Sequence, residues 1–485
     1  MVMQGGGRTG RQTLRVHLGR LARCARATAA VVAVVFAAFA GVGCGGSSRA
    51  EDELVILSPH WEGIQQEFER GFKEHWKATT GRTVDITWLD QGGTSQILRF
   101  IRSEYKQDST GIDVDMMFGG GIDPYFTLQS EGFTEPYLLP DSILSRIPRE
   151  FAGVPLYDST GHWYGATLSG FGIIYNSAVA RLQDDQVPMT WEAMGDPRLF
   201  GWISSGEPRM SGSVHMVYEI ILQAYGWERG WQVVTAMAAN STSFARNSAQ
   251  VPLAVARGDA IAGMSIDFYA WSEVSHMATD DLGFVYPENL TAVNPDAICI
   301  LRGARHRELA RAFLRFVMGE AGQRIWAFKR GAPGGPVQSQ LNRFSVMPDL
   351  YRRHPDDIAV KINPFAWKMT FRYDSDRGSK RWSVLNDLVG TLLIDSHAEL
   401  VGAWETVRRA GEAREGLAAL ARPPVSEARA MALAGKWSDQ ALRNAVINEW
   451  TVFARRKYAA VRSGRYGSSV ATQAADAGPV RAAGR

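Results

Sequence analysis

The chain has 485 residues, 45% of them hydrophobic, which is enough to build a sizeable core without covalent bracing. Only three cysteines argue against a disulfide-built scaffold, and the absence of a Lys/Arg-rich run with interleaved aromatics in the body argues against a nucleic-acid binder. The formal net charge is +3, but six arginines lie in the first 44 residues, so the rest of the chain is near −3 and the pI of 8.7 reflects the leader.

That leader comes first in chain order. Arg8, Arg11, Arg15, Arg20, Arg23 and Arg26 have no acidic residue among them, and the apolar run Ala27–Ala40 follows. A basic stretch, an apolar segment and a small-residue junction describe a secretory signal. The run is shorter than the roughly 20 apolar residues a membrane span requires. Gly41-Val42-Gly43-Cys44, followed by Gly45, Gly46, Ser47 and Ser48, resembles the lipobox of bacterial lipoproteins, departing from it at Gly41, where that family prefers Leu. The resemblance implies a signal peptide over residues 1–44, lipidation of Cys44 and a flexible linker over residues 45–52. The protein is then expected in the cell envelope, periplasmic or on the outer face, held to the membrane through Cys44.

From Glu53 onward, short apolar runs alternate with helical stretches, the pattern of an α/β chain. Leu54–Leu57 reads as a strand and Gln65–Lys77 as a helix with Phe68, Phe72 and Trp76 on one face, stopped by Gly81. Val84–Trp88 and Val114–Phe118 read as further strands, with a helix at Gln96–Glu104 between them and Gly119-Gly120-Gly121 ending the second. A second α/β unit follows: strand Gly170–Tyr175, the amphipathic helix Val214–Ala224, and strand Ile261–Ile266 after the Gly258-Asp259 turn. Strand Ile298–Leu301 and helix Glu308–Met318 return the chain to the first unit. Cys299, inside the apolar run Ala297–Leu301, reads as a buried structural thiol. Past Gln340 the chain is rich in Arg, Ala and Trp, with helical periodicity at Ser383–Leu393 and Asp439–Val461. Residues 463–485 are Gly/Ala/Ser-rich and aperiodic, as in a disordered tail.

Several segments, in this order and spacing, resemble the extracellular solute-binding proteins of ABC importers, particularly the group holding ferric-iron and small-anion binders. They are Leu54-Val55-Ile56-Leu57-Ser58-Pro59-His60; Gly92-Gly93-Thr94-Ser95; Thr190-Trp191-Glu192 with Asp196-Pro197-Arg198 and Gly201; Pro208-Arg209-Met210-Ser211-Gly212-Ser213; and Gly258-Asp259 with Asp267-Phe268-Tyr269-Ala270-Trp271. The resemblance covers residues 53–340. It implies an α/β, two-lobed, type II-like periplasmic-binding fold, with lobe 1 over about 53–165 and 290–340 and lobe 2 over about 166–289. A helical C-terminal extension over 341–462 falls outside it. It further implies a monomer that captures a small molecule or metal between its lobes and delivers it to an ABC permease and ATPase complex. The alternative is an envelope sensing or docking module uncoupled from import.

Thr94, Ser95, Ser211, Gly212 and Ser213 place hydroxyls and free amides at helix starts, where an anion is favoured. Gly120 and Gly121 add bare amides beside such a start. Ser169 falls in the family's hinge-side segment. It is no hydrolase nucleophile, because Thr167 stands where the turn needs glycine and a strand continues past it. By resemblance to the ferric members, His60 and Tyr269 are candidate metal ligands. The second tyrosine of those members is replaced here by Phe268 or Ala270, and their first-lobe carboxylate falls at Gly119-Gly120-Gly121, which leaves Asp123 or Asp267 to compensate. Trp61, Tyr125, Phe171, Tyr269 and Trp271 are candidate walls for an organic ligand, two of the five being expected to face the cleft. The candidate binding set is therefore His60, Trp61, Thr94, Ser95, Gly120, Gly121, Ser169, Ser211, Gly212, Ser213, Asp267 and Tyr269. No catalytic residue and no resident cofactor are expected; Fe(III) enters only as a transported ligand, the other candidate being a small organic or phosphorylated anion.

Overall fold

The computed structural model describes residues 50–277 and 279–465; Cys44, the rest of the leader and the tail beyond 465 lie outside the described residues. Strands β1 (Asp52–Leu57) and β2 (Val84–Leu89) run parallel along their full length, Asp52 opposite Val84 and Leu57 opposite Leu89. The helix Glu62–Thr80 joins them, its Ile64, Phe68 and Phe72 buried, and it stops at Gly81 in the left-handed conformation. A second helix, Thr94–Gln107, leads to β3 (Met116–Phe118), parallel to β1 on its other side. Both helices are longer than their apolar periodicity alone indicates.

Three short strands, β4 (Thr134–Glu135) and the β5–β6 pair (Glu150–Phe151 and Val154–Pro155), precede the 13-residue strand β7 (Tyr164–Asn176). Strands β8 (Ile203–Gly206), β9 (Ser241–Ala245), β10 (Ala262–Ile266), β11 (Leu282–Val285) and β12 (Val293–Leu301) complete the set. Along the sheet the order is β2-β1-β3-β12-β7-β10-β8-β9, with β11 also on β7 and β4 on β12.

The length of β7 explains how one chain makes two lobes. Its first part pairs antiparallel with β12, from Tyr164 opposite Ile298 to Gly170 opposite Val293. Its second part, Phe171 to Tyr175, pairs with β10. The expected strand Gly170–Tyr175 is thus only the lobe-2 end of a strand that serves both halves. Strand β12, antiparallel to both β3 and β7, closes lobe 1 at the same crossing.

The boundary expected at residue 340 is not a structural one. Leu341, Phe344, Val346, Met347 and Leu350 are buried in the lobe-1 core with Phe68, Phe72, Phe313 and Trp326. Phe344 forms a bridge with Leu168 of β7, and residues from Asp52 onward form one compact unit. Beyond that segment lie the helices Ser375–Val389, His397–Arg409, Ala413–Ala421, Glu427–Ala434 and Gln440–Arg462. Their Leu388, Trp404, Trp450 and Tyr458 share one core with Val217, Ile221 and Trp231 of lobe 2, and with Ile97 and Ile101 of lobe 1. Among the described residues, no helix is long and apolar enough to cross a membrane.

Candidate functional site

A cavity of about 320 Å³ opens where the two lobes meet at the β7–β12 crossing. Lobe 1 contributes the turn Gly92-Gly93-Thr94, Gly120 and Gly121 after β3, and His60 after β1; lobe 2 contributes Ser211-Gly212-Ser213, Arg246-Asn247-Ser248 and Tyr269. Two helices begin here face to face. Gly93 caps Thr94–Gln107, its amide donating to Gln96 Oε1 at 2.8 Å. Ser211 caps Gly212–Tyr225, its hydroxyl oxygen accepting from the Val214 amide at 3.4 Å. In the first turn of each helix the amides of Thr94, Ser95, Gly212 and Ser213 have no intrahelical carbonyl to bond.

Small residues allow the two starts to meet. A Cβ at Gly212 would lie 3.0 Å from Thr94 Oγ1, and one at Gly120 would lie 2.6 Å from the same oxygen. Gly119, Gly120 and Gly121 have φ of 100°, 97° and 82°, a region costly for any side chain; the Gly119 amide donates to the Ala297 carbonyl and that of Gly121 to Asp296, so Gly121 is not the bare amide expected.

At the base of the cavity lies a charge cluster. Asp296, on β12, accepts from Arg343 Nη1 at 2.8 Å, from the Gly121 amide at 2.9 Å and from His60 Nε2 at 2.9 Å. Burial would raise the carboxyl's pKa, but Arg343 and His60 hold it far below the ordinary range, so Asp296 is ionised. Burial lowers the pKa of His60, so its ring is neutral at neutral pH. Because a carboxylate only accepts, Nε2 carries the ring proton. Arg343 also donates to Ser169 Oγ at 2.9 Å, and its guanidinium lies 3.7 Å from the Phe268 ring centroid. A buried guanidinium fixed by a carboxylate, a hydroxyl and an aromatic face is preorganised for a planar oxyanion.

Of the candidate residues, His60, Thr94, Gly120, Gly121, Ser169, Ser211, Gly212, Ser213 and Tyr269 line this one cavity. Three do not. Trp61 is 40% exposed and outside the lining, because the helix it precedes turns it to solvent. Ser95 points away from the cavity to accept from Trp382 Nε1 at 3.1 Å. Asp267 lies behind the wall, accepting from the Gly170 amide at 2.6 Å and from the Tyr286 hydroxyl at 3.2 Å, with burial raising its pKa to about 7. Phe171 and Tyr269 are the two candidate aromatics that face the cavity. Tyr125 is held in the core through the carbonyls of Gly119 and Ala297, and Trp271 donates to Tyr286.

The residues missed from sequence are Arg343, Asp296, Asn294, Arg246 and Phe268. Three of them left a signal. Asn294 and Asp296 interrupt the otherwise apolar β12 at a spacing of two, which puts both on one face of a buried strand. Arg343 stands inside Leu341-Asn342-Arg343-Phe344-Ser345-Val346, where an arginine among core residues requires a buried partner. For a ferric ion the donor set is thin. Tyr269 has Phe268 beside it, burial pushes its hydroxyl up to about 12, and Asp296 is already occupied by three donors. Among the described residues no group of three or more His, Cys, Asp or Glu is placed to hold a metal ion.

The sequence profile of a family described as bacterial extracellular solute-binding protein matches residues 118–354. The phosphoglycerate transport regulatory protein PgtC of Salmonella typhimurium is 32% identical over 162 residues; the match spans 33% of this chain and only 39% of the length of that curated relative. The periplasmic binding protein AfuA of Actinobacillus pleuropneumoniae, solved with fructose-6-phosphate, superposes with a TM-score of 0.55 at 18% identity, covering 73% of this chain and 98% of AfuA. Iron-bound HitA of Pseudomonas aeruginosa gives a TM-score of 0.54 at 17% identity, covering 70% of this chain and 99% of HitA. At these identities the two structures establish the two-lobed fold.

Proposed function

We propose that this chain, whose residues 118–354 match the bacterial extracellular solute-binding family, closes its two lobes around a small phosphorylated or otherwise anionic organic solute and presents it to an ABC importer. The observation that carries this reading is the convergence of two helix starts, from Thr94 and from Gly212, with the buried Arg343 guanidinium on one cavity. Free amides and a fixed fork of donors favour an oxyanion over a cation. Phe171, Phe268 and Tyr269 supply the apolar wall that an organic ligand needs and a bare ion does not.

Ligand that touches both lobes only when they meet draws the population toward the closed form by its differential affinity. The phosphoglycerate link of PgtC and the sugar phosphate bound by AfuA support a phosphorylated compound as the occupant. Anchoring through a lipidated Cys44 completes the reading and would hold the protein beside its permease.

The test is thermal unfolding against 3-phosphoglycerate, fructose-6-phosphate, inorganic phosphate and ferric citrate. Native-state binding at a hundredfold excess over the dissociation constant stabilises by about 2.7 kcal/mol. A shift with a phosphorylated organic acid or sugar, absent with ferric citrate, is the expected result. A shift with ferric citrate alone, lost in Tyr269→Phe, overturns the anion reading in favour of iron. The word "regulatory" in the name of PgtC favours one second reading, an envelope sensor for the same solute. Uptake of labelled solute that persists after deletion of the gene would support the sensor over the importer.

A further inference from the structure

The C-terminal extension is fastened to lobe 2 by strong, buried contacts. Arg381, on the helix Ser375–Val389, donates from Nε and Nη2 to the Glu219 carboxylate at 2.7–3.1 Å, with both side chains almost wholly buried. Asn386 Oδ1 lies 2.7 Å from His215 Nδ1, and the Trp382 ring stacks on the His215 ring at a centroid distance of 3.7 Å. Further along, Trp404 donates to Asn240, and Arg209 pairs with Asp395.

The same helix reaches lobe 1 through two hydrogen bonds. Trp382 Nε1 donates to Ser95 Oγ at 3.1 Å, and the Tyr373 hydroxyl, just ahead of the helix, donates to Asp123 Oδ2 at 2.7 Å. Trp382 stands at the point where the two ligand-facing helix starts meet. A Cβ on Gly212 would touch both Thr94 Oγ1, at 3.0 Å, and Trp382 Cη2, at 3.5 Å. The indole is therefore bonded to the residue after Thr94 on one lobe and stacked three residues past Gly212 on the other. An opening in which this helix moves with lobe 2 breaks both lobe-1 bonds, together with its apolar packing on the lobe-1 helix Asp123–Ser130.

We propose that Trp382 and Tyr373 are positioning residues of the binding site: the extension travels with lobe 2 and latches onto lobe 1, holding the two helix starts in ligand-binding register and favouring closure before any ligand arrives. The register part of this inference rests on the solute-binding reading of the cavity; the latch itself does not. Two hydrogen bonds of ordinary strength shift such an equilibrium by roughly five- to a hundredfold. A ligand that needs the closed form loses apparent affinity in proportion to the closed fraction.

The experiment uses the whole chain with a donor–acceptor dye pair at Lys106 and Arg257. These are exposed residues near the far ends of the helices Thr94–Gln107 and Gln250–Arg257, which lie in different lobes. The double variant Trp382→Phe/Tyr373→Phe keeps an aromatic ring at each position and removes both donors, with the five-membered ring of the indole lost at 382. Its ligand-free inter-dye distance is expected to lengthen, its affinity for 3-phosphoglycerate to fall several-fold, and its ligand-saturated distance to match the native chain. Ser95→Ala, which removes one acceptor from the lobe-1 side without touching the extension, is expected to lengthen the distance in the same direction. A ligand-free distance unchanged in both variants overturns the latch, even if the unfolding midpoint drops. If neither 3-phosphoglycerate nor inorganic phosphate alters the native distance while the variants still lengthen it, the latch stands and the choice of solute is what has failed.

Discussion

Arg343 shows how much one side chain decides here. Its guanidinium is simultaneously the partner of Asp296, the donor to Ser169 and a positive edge of the ligand cavity. Arg343→Gln removes a charged donor, and hydrogen bonds to charged groups contribute about 1.5–3 kcal/mol. Calorimetric titration should therefore show affinity for a phosphorylated solute falling by at least tenfold. Arg343→Lys keeps the charge but not the planar fork, so recovery should be partial. Full affinity in the lysine variant would mean that only net charge matters. Glu219 makes a different point at the same scale. It sits fully buried against Arg381, whose other counter-charge is the half-exposed Glu427 at 2.6 Å, so Glu219→Gln leaves the buried guanidinium with that carboxylate alone. A loss of about 3–5 kcal/mol in denaturant unfolding is expected, the usual effect of breaking a buried pair.

Among the elements, the helices and strands that pack one face on a core were legible, because their apolar spacing is set by burial. The helix Gly212–Tyr225 and strand β10 are within two residues of where periodicity puts them. The helix Trp227–Asn240 was not, because its second half, Val233–Asn240, is buried all round and only its first turn carries exposed charge, at Glu228 and Arg229. The helix of the latch begins at Ser375, eight residues before its periodicity starts at Ser383; Asp374, which accepts from the Arg377 amide, was the cap that marked it.

This helix also brings two titrating groups into the seam between the lobes. Burial raises the pKa of Asp123 from 3.8 to about 8 and lowers that of His215 from 6.5 to about 4. For Asp123 the folded state binds more protons than the unfolded state between those two values, so its contribution to stability declines as pH rises through that window. For His215 the unfolded state binds more, so stability is lost as pH falls from 6.5 toward 4. Between about pH 4 and 6.5 the two slopes oppose each other and nearly cancel, so the native midpoint should be level there and fall as pH rises from 6.5 to 8. Asp123→Asn should flatten the alkaline side, where a single group supplies up to about 1.4 kcal/mol per pH unit. His215→Gln should extend the decline to lower pH, leaving the midpoint falling continuously from about 4 to 8. Unchanged slopes in both variants would place the titrating groups elsewhere.

For the whole molecule, what the sequence could not reveal is contact between distant segments. Gly92-Gly93-Thr94-Ser95 and Ser211-Gly212-Ser213 are separately readable as helix starts, yet nothing local states that they meet. That they do makes Gly93 a probe of closure. Its φ is −72°, an ordinary value, so alanine brings no backbone strain. The added Cβ would nevertheless stand 2.2 Å from the carbonyl oxygen of Met210 on the opposite lobe. Within lobe 1 alone, Gly93→Ala should be nearly harmless, since no other atom lies within contact range of the new methyl apart from Ser211 and Met210, both of lobe 2. The variant should therefore unfold near the native midpoint without ligand and lose the ligand-dependent rise. Small-angle scattering should show it expanded relative to the native chain whether or not 3-phosphoglycerate is present. A variant that binds normally and stays compact would mean that the Met210 carbonyl yields by a peptide shift, and that the two helix starts need not touch for the cleft to hold its solute.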